Sequence, residues 1–311
     1  MTSETAMKHN IIRIGTRGSP LALKQATEVR DQLIEAHSLK IENFEIVIIK
    51  TTGDRIVDRP LSSLGGKGLF TKEIEEALAE KKIDIAVHSM KDMPTKQPDN
   101  LVIDCFLKRE DPRDAFISNK LEKLSQLDTT TVVGTSSLRR KAQILNLMPS
   151  VKVVEFRGNV QTRLKKLDDG VADCTFLAMA GLKRLGLNKL INKPIAIGAM
   201  LPAVAQGIIG VERRAEDKSI ESLLKKINHK PTMQMANAER TMLKILDGSC
   251  ETPIAGLAII DKNKMTLKAE VLRVDGTEKI YYEATDNISN AINLGQKVGE
   301  HLKSKIGKDY Y

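Results

Sequence analysis

The sequence predicts an α/β protein of two similar domains followed by a small α+β domain. Three observations carry this. β-branched runs alternate with helical spacings over about the first two hundred residues. A strand–turn–helix pattern occurs twice, as "RIGTRGSPLAL" (13–23) and "TVVGTSSLRRKAQIL" (131–145). Beyond about residue 230 the pattern becomes alternating strands joined by a hairpin turn.

In the first set, "IIRIGT" (11–16) reads as a strand, and Ser19-Pro20 after it as a helix N-cap with proline in the first turn. Ala22, Ala26, Val29 and Leu33 then keep one helical face. "FEIVIIKT" (44–51) is the next strand, Ile74, Ala77 and Leu78 mark a helix, and "IDIAVHS" (83–89) is a further strand. Such alternation predicts a mostly parallel sheet covered by helices. The second set continues with "KVVEF" (152–156), a helix carrying Val160, Leu164 and Leu167, and "CTFLAMA" (174–180). Hinges fall at "KREDP" (108–112) and "LPAVAQG" (201–207), which gives domains of 1–107 with 208–226, 113–201, and 230–311. A ligand is expected beyond the carboxyl ends of the strands, in a cleft between the first two domains.

The third domain opens with a helix, "MANAERTMLKIL", and a turn, "DGSCETPIAG" (247–256). Met265, Leu267, Ala269 and Val271 alternate as a half-buried strand, and Asp275-Gly276 turns the chain back into "KIYYEAT" before a last helix. An antiparallel sheet follows from this.

Composition narrows the function. Hydrophobic residues are 41% and charged residues 29%, as in a globular protein; "MTSETAMKHN" is no secretory signal, and Pro202 and glycines break the most apolar stretch. Three scattered cysteines without C-x-x-C spacing argue for a reduced, cytosolic protein with neither a disulfide framework nor a zinc site. A formal charge of +9 suits polyanions, but with 3% aromatics and no tryptophan a base-stacking platform is poorly supplied. Small anionic ligands are the better reading.

Candidate residues sit where such a ligand would bind. Arg17 follows the first Gly-Thr turn, Arg139 and Arg140 the second; Arg157 and Arg163 flank "GNVQT", and Arg184 lies past a fourth strand. Any one of them reads by default as a charge on a solvated helix face. Collectively they lie at strand ends, where helix N-termini favour anions and arginine grips carboxylates in a fork. "VHSMKDMP" (87–94) sets Ser89, Lys91 and Asp92 just past a strand end, while His88 reads as a packed strand residue. "LGGKGLF" (64–70) lacks the Ser or Thr of a magnesium-binding phosphate loop; it is either a mobile lid whose Lys67 meets an anion or a surface loop. Cys105 and Cys174 lie in apolar strands. Cys250, in a turn, is an accessible thiol able to attack an electrophile or hold a covalent group.

In order along nearly the whole chain, "IGTRGSPLALKQA", "GGKGLF", "DIAVHSMKDMPT", "GTSSLRRKAQ", "RGNVQTRL", "LAMAGLKRLG", "LPAVAQG" and "GSCETPIAG" resemble the hydroxymethylbilane synthase (porphobilinogen deaminase) family. Two departures flank the thiol: Ser249 stands where glycine is common, and Ala255 likewise. The resemblance implies two periplasmic-binding-protein-like α/β domains around a cleft, plus a C-terminal α+β domain with a three-stranded antiparallel sheet. It implies a dipyrromethane cofactor on Cys250 through a thioether, and the head-to-tail joining of four porphobilinogens with release of a linear tetrapyrrole. By motif position, Arg17, Arg139, Arg140, Arg157, Arg163 and Arg184 bind carboxylates of cofactor or substrate. Ser19, Gln25, Ser89, Lys91, Thr135 and Ser137 assist, and Asp92 is the catalytic acid. No metal, nucleotide, nucleic acid or membrane is implied, and the chain is expected to be a cytoplasmic monomer. A non-catalytic, two-lobed anion-binding protein shares the arginines but needs no Cys250; a nucleic-acid-binding protein is suggested by charge alone.

Overall fold

The computed structural model describes residues 11–55, 68, 70–190, 193–248, 252–307 and 310. The chain divides into two compact units, Met1–Arg109 with Ile208–Met233, and Glu110–Gly207 with Gln234–Tyr311.

In the first unit, β1 (Ile12–Thr16) leads through Ser19 into α1 (Pro20–His37), followed by β2 (Phe44–Ile48), the short α2 (Thr52–Arg55), α3 (Lys72–Ala79), β3 (Ile85–Ser89) and β4 (Leu101–Phe106). The Ser19 side chain caps α1 by accepting the Ala22 N–H, and Pro20 opens the helix, as the sequence predicts. Ala26, Val29 and Leu33 are buried in the core with Ile14, Ile85 and Val87 from the sheet. β1, β2 and β3 run parallel. The sheet is completed by a strand the sequence reading did not anticipate. β10 (Ile209–Arg214) runs antiparallel between β3 and β4, so the order is β2-β1-β3-β10-β4. All six residues of β10 are buried although three are charged. Glu212 meets His88, Arg213 donates to Asp104, and Arg214 pairs with Asp217. Those partners make burial of the charges tolerable. α7 (Lys218–Lys225) closes this unit's core with Leu223 and Leu224.

The second unit repeats the plan. β6 (Val132–Gly134), β7 (Lys152–Val154) and β8 (Cys174–Ala178) are parallel, and β5 (Asp114–Ser118) lies antiparallel between β8 and β9 (Lys193–Pro194). The helices are α4 (Leu138–Leu147), α5 (Val160–Asp168) and α6 (Met179–Arg184). Both sheets are thus mixed, because one returning strand in each runs against the parallel set.

Residues 234–311 belong to this same unit. β11 (Ile254–Asp261), β12 (Lys264–Leu272) and β13 (Lys279–Asn287) form the predicted three-stranded antiparallel sheet, with Gly276 at positive φ in the turn between the last two. α8 (Lys230–Ile245) carries the buried Glu239, whose carboxylate accepts the backbone N–H of Ala205 at 2.6 Å and of Ala258 at 2.7 Å. One side chain thereby ties the α/β sheet region to the C-terminal sheet. α9 (Ala291–Lys303) packs Gly295 against the Ala238 carbonyl, where a Cβ would come within 2.3 Å.

Candidate active site

Parallel pairing brings the carboxyl ends of β1, β2 and β3 to one edge of the first sheet, and the segments that leave them carry the polar residues. Arg17 follows β1, Asp54 lies on α2 after β2, and Ser89 ends β3, followed by a 3₁₀ turn, Met90–Asp92. Arg17, Ser19, Gln25, Ser89 and Asp92 line one pocket, with Phe70 and His88 among its other walls.

Their states differ. Gln25 is buried and exchanges hydrogen bonds with Ser89: its amide donates to Ser89 Oγ at 2.8 Å and its oxygen accepts at 3.1 Å. That pair fixes the hydroxyl on the pocket wall. Lys91 is half-buried, while Asp92 is exposed and its carboxylate has no hydrogen-bond partner among the described residues. His88 is packed, with Nε2 2.9 Å from Glu212 Oε2, as the strand pattern suggests. Arg17 is not an open fork. Its Nε lies 3.2 and 3.3 Å from the two oxygens of Asp54, its Nη2 bonds the same carboxylate, and its Cζ stacks 4.1 Å from the Phe70 ring centroid. Burial would push Asp54 up, but hydrogen bonds from Arg17 and Thr51 outweigh it and hold its carboxyl below the usual carboxylate range.

In the second unit, Thr135 is buried just past β6, and its Oγ1 accepts the Ser137 N–H at 3.2 Å. Ser137 caps α4 by accepting the Arg140 N–H. That cap turns Arg139 and Arg140 inward. Arg139 Nη2 donates to Asp114 Oδ2 at 2.8 Å and Arg140 Nη2 to Asp114 Oδ1 at 2.7 Å, while their Nη1 groups donate to Leu201 O and Phe176 O. Both arginines are nearly inaccessible and Asp114 is fully buried. Desolvation opposes its charge, but the two guanidinium groups win and hold Asp114 far below the usual range. Gln206 Nε2 adds a third donor at 3.0 Å. Both arginines are therefore already paired with a carboxylate of the protein; the Nε–H of each is buried with no partner among the described residues. Arg163 donates to Gly158 O at 2.9 Å, Arg184 reaches Gly207 O at 3.4 Å, and Arg157 is half-buried.

Lys67 and Cys250 lie outside the described residues. The other two thiols are buried, and burial pushes both Cys105 and Cys174 up to about 12. Sequence reading passed over Asp54 and Asp114, the carboxylates that hold the arginines. "TGDR" after a strand and an acid heading the apolar "DAFIS" are the signals that point to them.

The family model described as the porphobilinogen deaminase dipyromethane cofactor binding domain matches residues 12–222, and that of the porphobilinogen deaminase C-terminal domain matches 233–304. The porphobilinogen deaminase of Paracoccus denitrificans (strain Pd 1222) is 56% identical over 302 residues, 97% of this chain and 96% of that protein. A chloroplastic porphobilinogen deaminase of Oryza sativa subsp. japonica is 48% identical, over 99% of this chain and 88% of its own. Among solved structures, the Bordetella pertussis BvgS VFT2 domain has a TM-score of 0.44 at 14% identity, over 72% of this chain and 90% of that one.

Proposed function

The chain belongs to the porphobilinogen deaminase family, and on that premise we propose that it is a transferase of porphyrin biosynthesis that joins four porphobilinogens head to tail. Four ammonia molecules leave, and water releases the linear tetrapyrrole hydroxymethylbilane. The carrying observation is the pocket of the first unit. A carboxylate with no partner among the described residues, Asp92, shares it with a guanidinium and with hydroxyl and amide groups from distant segments.

That donor set suits a pyrrole bearing carboxylate arms. Arg17 offers charge, Ser19 and Ser89 offer hydroxyls, and Asp92 offers a carboxylate that can accept a ring N–H and balance a positive charge. Dipyrromethane, held through a thioether on Cys250, supplies the primer to which the rings are added. Arg17, Ser19, Ser89, Lys91, Thr135, Ser137, Arg139, Arg140, Arg157, Arg163 and Arg184 are the residues proposed to hold its acid groups. The unpaired Nε–H groups of Arg139 and Arg140 fit a further acceptor.

As ammonia departs from porphobilinogen, the carbon it leaves becomes electron-poor, and the charge spreads over the pyrrole ring. Asp92, whose backbone the 3₁₀ turn sets at the pocket, stabilises that charge electrostatically. Its carboxylate oxygen can also take and return a proton. Arg17, with Gln25 and Lys91, orients the substrate's carboxylates. Asp92→Asn should lower turnover about a hundred- to a thousand-fold. Near-normal turnover by a folded, primer-loaded Asp92→Asn protein would overturn the assignment. Intact-protein mass checks the loading: the wild type should carry two linked pyrroles, Cys250→Ser none, and Cys105→Ser and Cys174→Ser the same as the wild type.

A cytoplasmic monomer that takes porphobilinogen as its small-molecule partner, without nucleic acid or membrane, completes the reading. No helix among the described residues is long and apolar enough to cross a membrane. Light scattering at the monomer mass of 34.4 kDa is the expected result.

A further inference from the structure

A guanidinium has two edges able to grip a carboxylate: a side edge made by Nε and one Nη, and an end edge made by the two Nη groups. In Arg17 the side edge is taken. Both oxygens of Asp54 face Nε at 3.2 and 3.3 Å, and Oδ1 also meets Nη2. One face is covered by the Phe70 ring. The end edge remains, on a side chain that lines the pocket with Ser89 and Asp92 and keeps 27% of its surface accessible.

Asp54 is itself held. Thr51 Oγ1 donates to its Oδ2 at 2.8 Å, and the Thr51 backbone N–H approaches the same oxygen at 3.4 Å. The next residue, Thr52, donates its backbone N–H to Glu73 Oε1 at 2.8 Å, which fastens α2 to α3. A carboxylate anchored so firmly is a fixed strut.

We infer that Asp54 is a positioning residue for the reaction: it clamps the side edge of Arg17 and so aims the end edge at a carboxylate of porphobilinogen. This rests on the reading that Arg17 binds such a carboxylate. A fixed fork needs less ordering on binding than a free arginine side chain, which is where the affinity gain originates.

The test is steady-state porphobilinogen consumption by holoenzyme variants, with KM and kcat resolved and folding checked by thermal melting. Asp54→Asn keeps the shape but loses the charge and turns one acceptor oxygen into a donor, and should raise KM about ten-fold, the scale of one charge-assisted hydrogen bond lost, with kcat within about two-fold. Asp54→Glu, which restores the charge, should recover part of the loss. Arg17→Lys should raise KM at least as much, because an ammonium has no fork. In the double variant Arg17→Lys/Asp54→Asn the second change should add nothing. A lower KM in Asp54→Asn would make Asp54 a competitor of the substrate and overturn the inference, as would a fall in kcat at unchanged KM. If Arg17→Lys raises KM and Asp54→Asn does not, the positioning role fails and the Arg17 reading stands. If Arg17→Lys leaves KM unchanged, both fail.

Discussion

In the first unit the chain leaves β1 at Thr16, and the next residue, Arg17, reaches the Asp54 carboxylate on α2 while staying 27% exposed. In the second, it leaves β6 at Gly134, passes a serine cap, and turns Arg139 and Arg140 onto Asp114, with exposures of 5%, 6% and 0%. The same strand–turn–helix grammar thus sets up two kinds of arginine. A half-exposed pair remains screened by solvent and contributes little to stability, so its free edge is available for recognition. The buried triad is costly to desolvate, but removing one member strands an uncompensated charge. The first arrangement leaves a guanidinium edge open, whereas the second spends both end groups of each arginine on Asp114 and on the Leu201 and Phe176 carbonyls, and leaves only the Nε–H groups for any further acceptor.

The largest expected effect follows from that triad. Asp114→Asn leaves two buried guanidinium groups with a neutral partner and should destabilise the protein by about 3–5 kcal/mol in denaturant titrations. A loss under about 1 kcal/mol would mean that the triad behaves like a surface pair. Acid acts on the same group. Because the folded-state pKa of Asp114 is depressed, its contribution is fully present above the unfolded value of about 3.9 and is lost as pH falls toward the folded one. Stability of the wild type should therefore drop below about pH 4, and Asp114→Asn should flatten part of that drop.

A smaller effect sharpens the contrast from the other side. Asp54→Asn, which breaks the partly solvated pair, should change unfolding free energy by no more than about 1 kcal/mol. A destabilisation matching that of Asp114→Asn would erase the distinction between the two units. The smallest effect is local. Cys105 lies in the first unit's core and Cys174 in the second's, and both are buried with raised pKa. Neither should react with a thiol reagent in the native wild type. Asp114→Asn should speed labelling of Cys174 while leaving Cys105 protected, and equal acceleration of both would show that the units open together.

Much of this was legible in the chain. β-branched runs located β1, β2, β3, β6, β7 and β8, and Asp275-Gly276 located the last hairpin. β10 escaped because three consecutive charges end "IGVERR"; Glu212, Arg213 and Arg214 are buried because His88, Asp104 and Asp217 meet them, the first two from distant segments. β5 escaped for the same reason, since it begins on a charge whose partners lie 25 and 26 residues away. Motif position named Arg17, Ser19, Gln25, Ser89 and Asp92, and the structure places them around one pocket. It could not say that Arg17 and the Arg139–Arg140 pair carry partners of their own, because pairing across a fold leaves no local periodicity.

The placement of β10 has a bearing on how the protein is made. β3 and β4 are joined only through this strand, which the ribosome delivers after about a hundred further residues. At the usual pace of synthesis that interval lasts roughly 5–20 s. Throughout it the nascent first unit carries an unfilled slot in the middle of its sheet, flanked by apolar strand edges of the kind that recruit foreign strands. The second unit's sheet, whose strands all lie within 114–194, can close before the first is finished. Order of emergence from the ribosome and order of completion are therefore reversed, and a nascent chain with about its first 200 residues outside the ribosome would present a finished second sheet behind an open first one.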